Sequence, residues 1–166
     1  MSIADKLIME LEQEAKTTRR VLERVPDDKL TWKPHVKSMS LGRLAQHVAT
    51  IPGAISGMAM FDSYDVEKFS EPPELESRAA ILAAFDESLA QAKTNLAAAD
   101  DAAMMKDWSF NMGGHPIMTV PRIGVYRSIL LNHLYHHRGQ LTVYLRLLDV
   151  PVPAIYGPSA DENPFA

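Results

Sequence analysis

The sequence of 166 residues contains no cysteine. Disulfide bonds, a thiolate nucleophile from the chain, and cysteine-ligated zinc or iron–sulfur sites are therefore excluded. Any metal ion must be bound by histidine, aspartate, glutamate or water, and any thiol in a reaction must come from outside the chain. The absence of cysteine also fits the reducing cytoplasm, which is the location we expect.

Long hydrophobic runs and an excess of basic residues are missing as well. No segment approaches the ~18 unbroken apolar residues of a membrane-spanning helix. The charged N-terminal segment MSIADKLIMELEQE has no apolar centre of the kind found in signal peptides. The 17 lysines and arginines against 21 aspartates and glutamates give a net charge of −4. Because phosphate binding needs a basic surface, we expect neither nucleic acid nor a membrane as partner.

Apolar residues recur at helical spacing along most of the chain. Hydrophobic residues make up 46% and charged residues 23% of the sequence, as in ordinary globular proteins, and the length suits a single domain over residues 1–166. The periodicity predicts four helices, over residues 3–24, 41–61, 76–98 and 121–148. Ser2 and Ser40 are suited to cap the first two helices, and Pro52 should kink the second.

The segments between these helices are polar or rich in proline. Residues 25–40 and 62–75 are predicted to be irregular connections. In residues 99–120, Gly113 and Gly114 separate two short β-prone runs, which favours a small hairpin or an extended loop. The pattern predicts an all-α protein, namely an antiparallel four-helix bundle or a close variant, with this loop or hairpin before the last helix.

Two histidines, His133 and His137, are four residues apart in the segment LNHLYHHRGQLTVYL. This spacing places both imidazoles on one helix face, which is a common way for a helix to offer two ligands to one metal ion. His47 lies on the apolar stripe of the second helix, and bundles build metal sites from facing helices. A buried polar group without a hydrogen bond costs ~1–3 kcal/mol, so the pair needs a shared metal or carboxylate. Spacing alone leaves three interpretations open: a shared metal ion, a shared carboxylate, and ordinary hydrogen-bonded core histidines.

His136 is an alternative partner for His133. Its direction around the helix lies about 60° to one side of His133, whereas His137 lies about 40° to the other side. His137 is also in register with the apolar positions Leu130 and Tyr144. We therefore expect His137 to be the ligand and His136 to flank it.

The segment HLYHHRGQLTVYLRLLDVPVPAIYGPSADE, with LTWKPHVKSMSLGRLAQHVA upstream, resembles the DinB/YfiT-like superfamily of metalloenzymes, which is unrelated to the DNA polymerase called DinB. The resemblance covers nearly the whole chain and rests on the run H-x-x-x-H-R-G-Q together with the upstream L-x-x-H. It implies an up-down-down-up four-helix bundle. It also implies a nickel or zinc ion held by His47, His133 and His137, which stand at the matching positions, and a homodimer paired through helix faces.

Three neutral imidazoles leave a coordination position open, where a divalent ion lowers the pKa of bound water or thiol. The resemblance to bacillithiol S-transferases and mycothiol-dependent maleylpyruvate isomerase favours transfer of an external low-molecular-weight thiol to a small electrophile. A metal-dependent hydrolase of small molecules, and a non-enzymatic bundle with a structural metal, are the alternatives.

A proton carrier is harder to identify, because the sequence has no H-E-x-x-H motif. Tyr156 and His136 are the catalytic candidates that we favour. The tail containing Tyr156 is expected to fold back over the metal, and Tyr144 and Asp161 are further candidates. Gln46 or Gln140 could orient the metal ligands. Trp32 or Trp108 could line a pocket. Arg138 is expected to serve packing and salt bridging rather than chemistry.

Overall fold

The computed structural model describes residues 1–165. The chain is mostly helical, with the elements α1 (Ile3–Leu22), α2 (Leu41–Met58), α3 (Arg78–Ala97), α4 (Asp101–Met105), α5 (Arg122–Gly124) and α6 (Asn132–Leu147). A π-helical segment, Val125–Leu131, joins α5 directly to α6, so the last predicted helix is present but is not α-helical throughout. None of the helices in residues 1–165 combines the length and the hydropathy that a membrane-spanning segment requires.

The predicted serine caps of the first two helices are confirmed. Ser2 Oγ accepts a hydrogen bond from Asp5 N–H (3.1 Å), and Asp5 Oδ2 accepts one from Ser2 N–H (2.8 Å). Ser40 Oγ accepts a hydrogen bond from Arg43 N–H (3.1 Å). These bonds satisfy backbone donors that have no partner inside the helix, and they define where α1 and α2 begin.

Helices α2 and α3 run in the same direction, as shown by contacts in which the residue numbers of both helices increase together. Gly53 N–H donates to Ser88 Oγ (2.7 Å), and Asn95 Nδ2, two turns further along α3, donates to Ser56 Oγ, about one turn further along α2 (3.0 Å). A Cβ atom on residue 53 would lie 3.0 Å from Ser88 Cα. The close approach of the two helices therefore depends on a glycine at this position.

Pro52 lies inside α2, and the helix continues past it to Met58. Proline has no N–H to donate and weakens the helix around it. Ser88 of α3 compensates locally, because its Oγ donates to Thr50 O (3.2 Å) and accepts from Gly53 N–H. The loss of a backbone donor about one turn past His47 is thus compensated from the neighbouring helix.

Helix α6 runs antiparallel to α2. Tyr144, near the end of α6, donates to the carbonyl of Met39, which precedes α2 (3.3 Å), whereas His133, near the start of α6, faces His47. Two pairs join α1 to α6, Glu10–Tyr135 and Glu14–Arg138, and the residue numbers of both helices increase from the first pair to the second. Helices α1 and α6 therefore run one way and α2 and α3 the other, in the order of directions that the resemblance implies.

A three-stranded sheet corrects the all-α prediction. Its strands are β1 (Ser63–Asp65), β2 (Asp107–Met112) and β3 (His115–Pro121), in that order, with β1 parallel to β2 and β2 antiparallel to β3. The predicted hairpin is confirmed, and Gly113 and Gly114 at its turn have positive φ angles of 58° and 80°. β1 was missed because three residues in a polar connection show no periodicity, and their partner strand lies far along the chain.

Candidate metal centre

Three histidines from two helices converge at one point. His47 comes from α2, and His133 and His137 come from α6. One ring nitrogen from each lies within 4.8 Å of the other two, and the Nε2 atoms of His47 and His133 are 3.2 Å apart. The ring centroids are separated by 5.0 Å (His47–His133), 4.5 Å (His47–His137) and 4.6 Å (His133–His137). This group could hold a metal ion, and it consists of the three histidines that the sequence singled out.

The helix geometry explains the convergence. Positions 133 and 137 lie one turn apart on α6, so their side chains leave the helix on the same side. The π-helical segment ends immediately before α6. A π turn holds more residues than an α turn, so it shifts the face presented upstream of His133 relative to an uninterrupted helix. The sequence periodicity did not reveal this shift.

The three imidazoles are neutral at physiological pH. Burial, followed by repulsion from His137 and His133 in their protonated forms, lowers the pKa of His47 to about 4. Burial also lowers the pKa values of His133 and His137. A protonated imidazole cannot ligate a cation, because its lone pair is taken by the proton. The environment thus keeps all three rings in the form that binds metal.

Gln140 orients His137. The Nδ1 atom of His137 lies 2.8 Å from Gln140 Oε1. An amide oxygen only accepts hydrogen bonds, so Nδ1 carries the proton in the neutral ring and Nε2 keeps its lone pair. Hydrogen bonds of this kind hold metal-ligating imidazoles in position in many proteins. The sequence prediction that Gln140 could orient a ligand agrees with this contact.

Gln46, the other predicted orienting residue, serves the backbone instead. Its side chain is buried, its Nε2 donates to Pro73 O (2.8 Å), and its Oε1 accepts from Leu75 N–H (2.9 Å). These bonds attach the connection before α3 to α2. Since its amide is engaged there, the prediction that Gln46 orients a histidine is wrong.

His136 lies beside the triad and outside it. It is exposed, and its ring centroid is 4.8 Å from that of His137. The group that could hold a metal includes His137 and not His136, as the direction around the helix predicts. Of the two favoured catalytic candidates, the structure brings only His136 close to a member of the triad.

Tyr156 lies on the side of α6 that faces α1. Its hydroxyl accepts a hydrogen bond from Arg138 Nη2 (2.5 Å) and donates one to Glu14 Oε2 (2.8 Å). Tyr156 as a whole is 71% exposed, but desolvation of its hydroxyl and the Glu14 carboxylate raise the pKa of this phenol. The structure therefore places Tyr156 in an ion-pair network between α1 and α6, and the expectation that its tail covers the metal does not match this placement. The other two candidate proton carriers have partners elsewhere. Tyr144 donates a hydrogen bond to Met39 O, and Asp161 pairs with Arg146 and accepts a hydrogen bond from Val152 N–H.

A cavity of about 700 Å³ opens beside His47 and His133. Its remaining walls come from α2, from the connection before α3, from the sheet and from the π-helical segment, and most of the lining is apolar. Aromatic side chains on these walls are Tyr64, Phe69 and Phe110. The two tryptophans do not line it: Trp108 is buried in the core and Trp32 packs edge-on against Tyr144.

This cavity, and Arg43 among the polar side chains in its wall, were not predicted from the sequence. Arg43 precedes His47 by four positions on α2, so helical spacing could have identified it as a neighbour on the same face. The aromatic wall residues offered no such signal, because they come from separate strands and connections.

The comparisons with known proteins agree with this fold. The sequence matches the DinB family over residues 1–164, so the chain belongs to the DinB family. It is 26% identical over 162 residues to the uncharacterized protein YrdA of Bacillus subtilis, covering 95% of this chain and 90% of YrdA.

Solved structures of three DinB-like proteins are similar in fold. The one from Bacillus cereus has a TM-score of 0.72 at 22% identity, covering 93% of this chain and 98% of its own. YjoA from Bacillus subtilis has a TM-score of 0.71 at 15% identity, covering 90% and 96%. The one from Exiguobacterium sibiricum has a TM-score of 0.69 at 21% identity, covering 93% and 97%. At these identities the likeness concerns the fold alone.

Proposed function

We propose that this protein is a metal-dependent enzyme that transfers an external low-molecular-weight thiol to small electrophiles, with nickel or zinc held by His47, His133 and His137. The observation that carries the proposal is the convergence of three neutral imidazoles, two of which line a large apolar cavity. When bound, a divalent ion supplies Lewis acidity, which lowers the pKa of a thiol or water.

The donor set favours catalysis over a structural role for the metal. Structural zinc sites are closed by four protein ligands, whereas catalytic sites keep a position open. Among residues 1–165, the group around His47 comprises three histidines and no acidic side chain. The cavity gives a small molecule direct access to two of these histidines, His47 and His133.

The chain supplies no thiol of its own, which is why the nucleophile in this proposal comes from outside. The apolar walls suit the body of a small electrophile and exclude water around it. For proton transfer we favour His136, since its ring is exposed and adjacent to His137. Tyr156 is less favoured because its hydroxyl is engaged by Glu14 and Arg138.

Metal analysis of untagged protein tests the ligand assignment. We expect about one equivalent of a divalent metal per chain, and loss of most of it in His133→Ala or His137→Ala. His35→Ala is the matched control, because His35 is exposed and outside the triad. Equal metal loss in His35→Ala, or full retention in His133→Ala, would contradict the assignment.

A panel of low-molecular-weight thiols, each offered to small electrophiles with and without metal, tests the proposed reaction. Transfer that requires both the metal and His137 supports it. Activity with water in place of any thiol would instead identify a hydrolase. No activity of either kind at full metal loading would favour a structural metal. Sedimentation of the metal-loaded protein tests the further expectation of a homodimer.

A further inference from the structure

Arg43 places a fixed positive charge in the wall of the cavity. It lies one turn before His47 on α2, and its side chain is only 12% exposed. Among the described residues that line the cavity, Arg43 is the single lysine or arginine. A guanidinium remains protonated throughout the physiological pH range. The cavity thus contains a permanent cation next to the histidine triad.

The partners of Arg43 come from the rim. Its Nη2 lies 2.6 Å and its Nε 3.2 Å from the same oxygen, Glu71 Oε1, while Nη1 donates to Pro72 O (2.7 Å). The three contacts use three of the five N–H groups of the guanidinium. The side chain of Glu71 is 71% exposed, so this carboxylate reaches Arg43 from the solvent side.

This ion pair is suited to exchange with a ligand. The Glu71 side chain is already largely hydrated, so displacing it into water has a small cost, provided that another anion takes its place on the part-buried Arg43. Glu71 uses one carboxylate oxygen on Arg43, whereas a free carboxylate can accept two parallel hydrogen bonds from a guanidinium, which is the stronger geometry. The remaining lining beside Arg43 is largely aliphatic or aromatic, with Ile51, Ile55 and Phe110 as examples.

We propose that the cavity binds small molecules that combine an apolar body with a carboxylate, and that the carboxylate takes the place of Glu71 on Arg43. The apolar body then lies along the walls, and the molecule is anchored one helix turn from His47. This inference names a substrate class for the same site, and it rests on the proposed function only for the role of the histidines.

The test compares 3-phenylpropanoate with its neutral amide, 3-phenylpropanamide, as binding probes for metal-free and zinc-loaded protein. Titration calorimetry or NMR gives the dissociation constants. We expect the carboxylate to bind about tenfold more tightly than the amide in both forms, since a charged hydrogen bond has this magnitude. Arg43→Met should remove the preference. Glu71→Gln should tighten carboxylate binding several-fold, because it removes the competing anion.

Several outcomes would overturn the proposal. They are equal affinity of the two probes in metal-free protein, a preference that persists in Arg43→Met, and a preference found only with zinc, which would place the carboxylate on the metal. If Arg43→Met does not fold, Glu71→Gln decides, since no gain in affinity there also refutes the exchange. Absence of metal binding would refute the proposed function and leave the carboxylate preference measurable in metal-free protein.

Discussion

Replacing Glu14 by alanine should destabilise the protein by about 3–5 kcal/mol, because it leaves the charge of Arg138 buried without its counter-ion. Arg138 is 1% exposed and its Nη1 lies 2.8 Å from Glu14 Oε2. The same guanidinium donates to Thr18 Oγ1 (3.1 Å) and to the hydroxyl of Tyr156 (2.5 Å). Its third neutral acceptor is the backbone carbonyl of Glu14 (3.3 Å), and these neutral acceptors cannot compensate the charge once the carboxylate is gone.

A double-mutant cycle separates the ion pair from the packing around it. Arg138→Met leaves an apolar chain of similar length, and the variant with both Glu14→Ala and Arg138→Met has no buried charge at this position between α1 and α6. We expect this double variant to be more stable than Glu14→Ala by about 2 kcal/mol, because burying an unpaired charge costs more than losing the pair. Arg19→Met is the control, since Arg19 forms its ion pairs at the surface and should contribute under about 1 kcal/mol.

Urea unfolding of metal-free protein measures these differences, because bound metal would add its own binding energy to the stability. The midpoint should fall without a change in the slope, and the melting temperature of Glu14→Ala should drop by about 10 °C for a chain of this size. A loss below about 1 kcal/mol in Glu14→Ala would refute the reasoning. The reasoning would also be refuted if the double variant lost as much free energy of unfolding as the two single variants lose together.

Three further predictions concern the helices and the histidines. Gly53→Ala should destabilise the protein by about 1–3 kcal/mol, because its Cβ would meet Ser88. Gly139→Ala should stabilise the protein by up to about 1 kcal/mol, because nothing lies within 4 Å of its Cβ. Thermal unfolding of the two variants measures both differences. Gln140→Leu should weaken metal binding about tenfold, as measured by competition with a chelator, and unchanged affinity would exclude an orienting role. The metal-free protein should lose stability as the pH falls from 6.5 towards 4, because the pKa of His47 is about 4 in the folded chain and near 6.5 when unfolded. The pH dependence of urea unfolding should be shallower in His47→Gln, and an identical slope would contradict this.

Much of the helical framework was predictable because helix signals are local. Ser2 and Ser40 cap the helices that they were predicted to cap. The glycine pair at 113–114 marks the turn of a hairpin, because positive φ angles cost glycine no steric strain. Strand β1 could not be predicted, since a three-residue strand is stabilised by its neighbour in the sheet rather than by its own sequence.

The candidate site was predictable in its three histidines and not in its surroundings. The choice of His137 over His136 follows from angles around one helix, which a sequence contains directly. The location of Tyr156 depends on how the tail packs, and the tail is held by contacts to Glu14 and Arg138 that no spacing reveals. Gln46 shows the same limit, because its amide bonds to a segment whose path only the folded chain defines.

What the sequence determined by itself is which side chains share a helix face: His133 with His137, and Arg43 with His47. The α-helix completes a turn about every 3.6 residues, so side chains four positions apart lie on the same face whatever the helix packs against. Residue spacing did not determine that α6 runs antiparallel to α2, so that His47 meets the other two rings; the family resemblance implied it and the folded chain shows it. Only the tertiary structure revealed the cavity beside them. Those relations join distant segments, and they depend on the burial of apolar surface across the whole chain rather than on any local pattern.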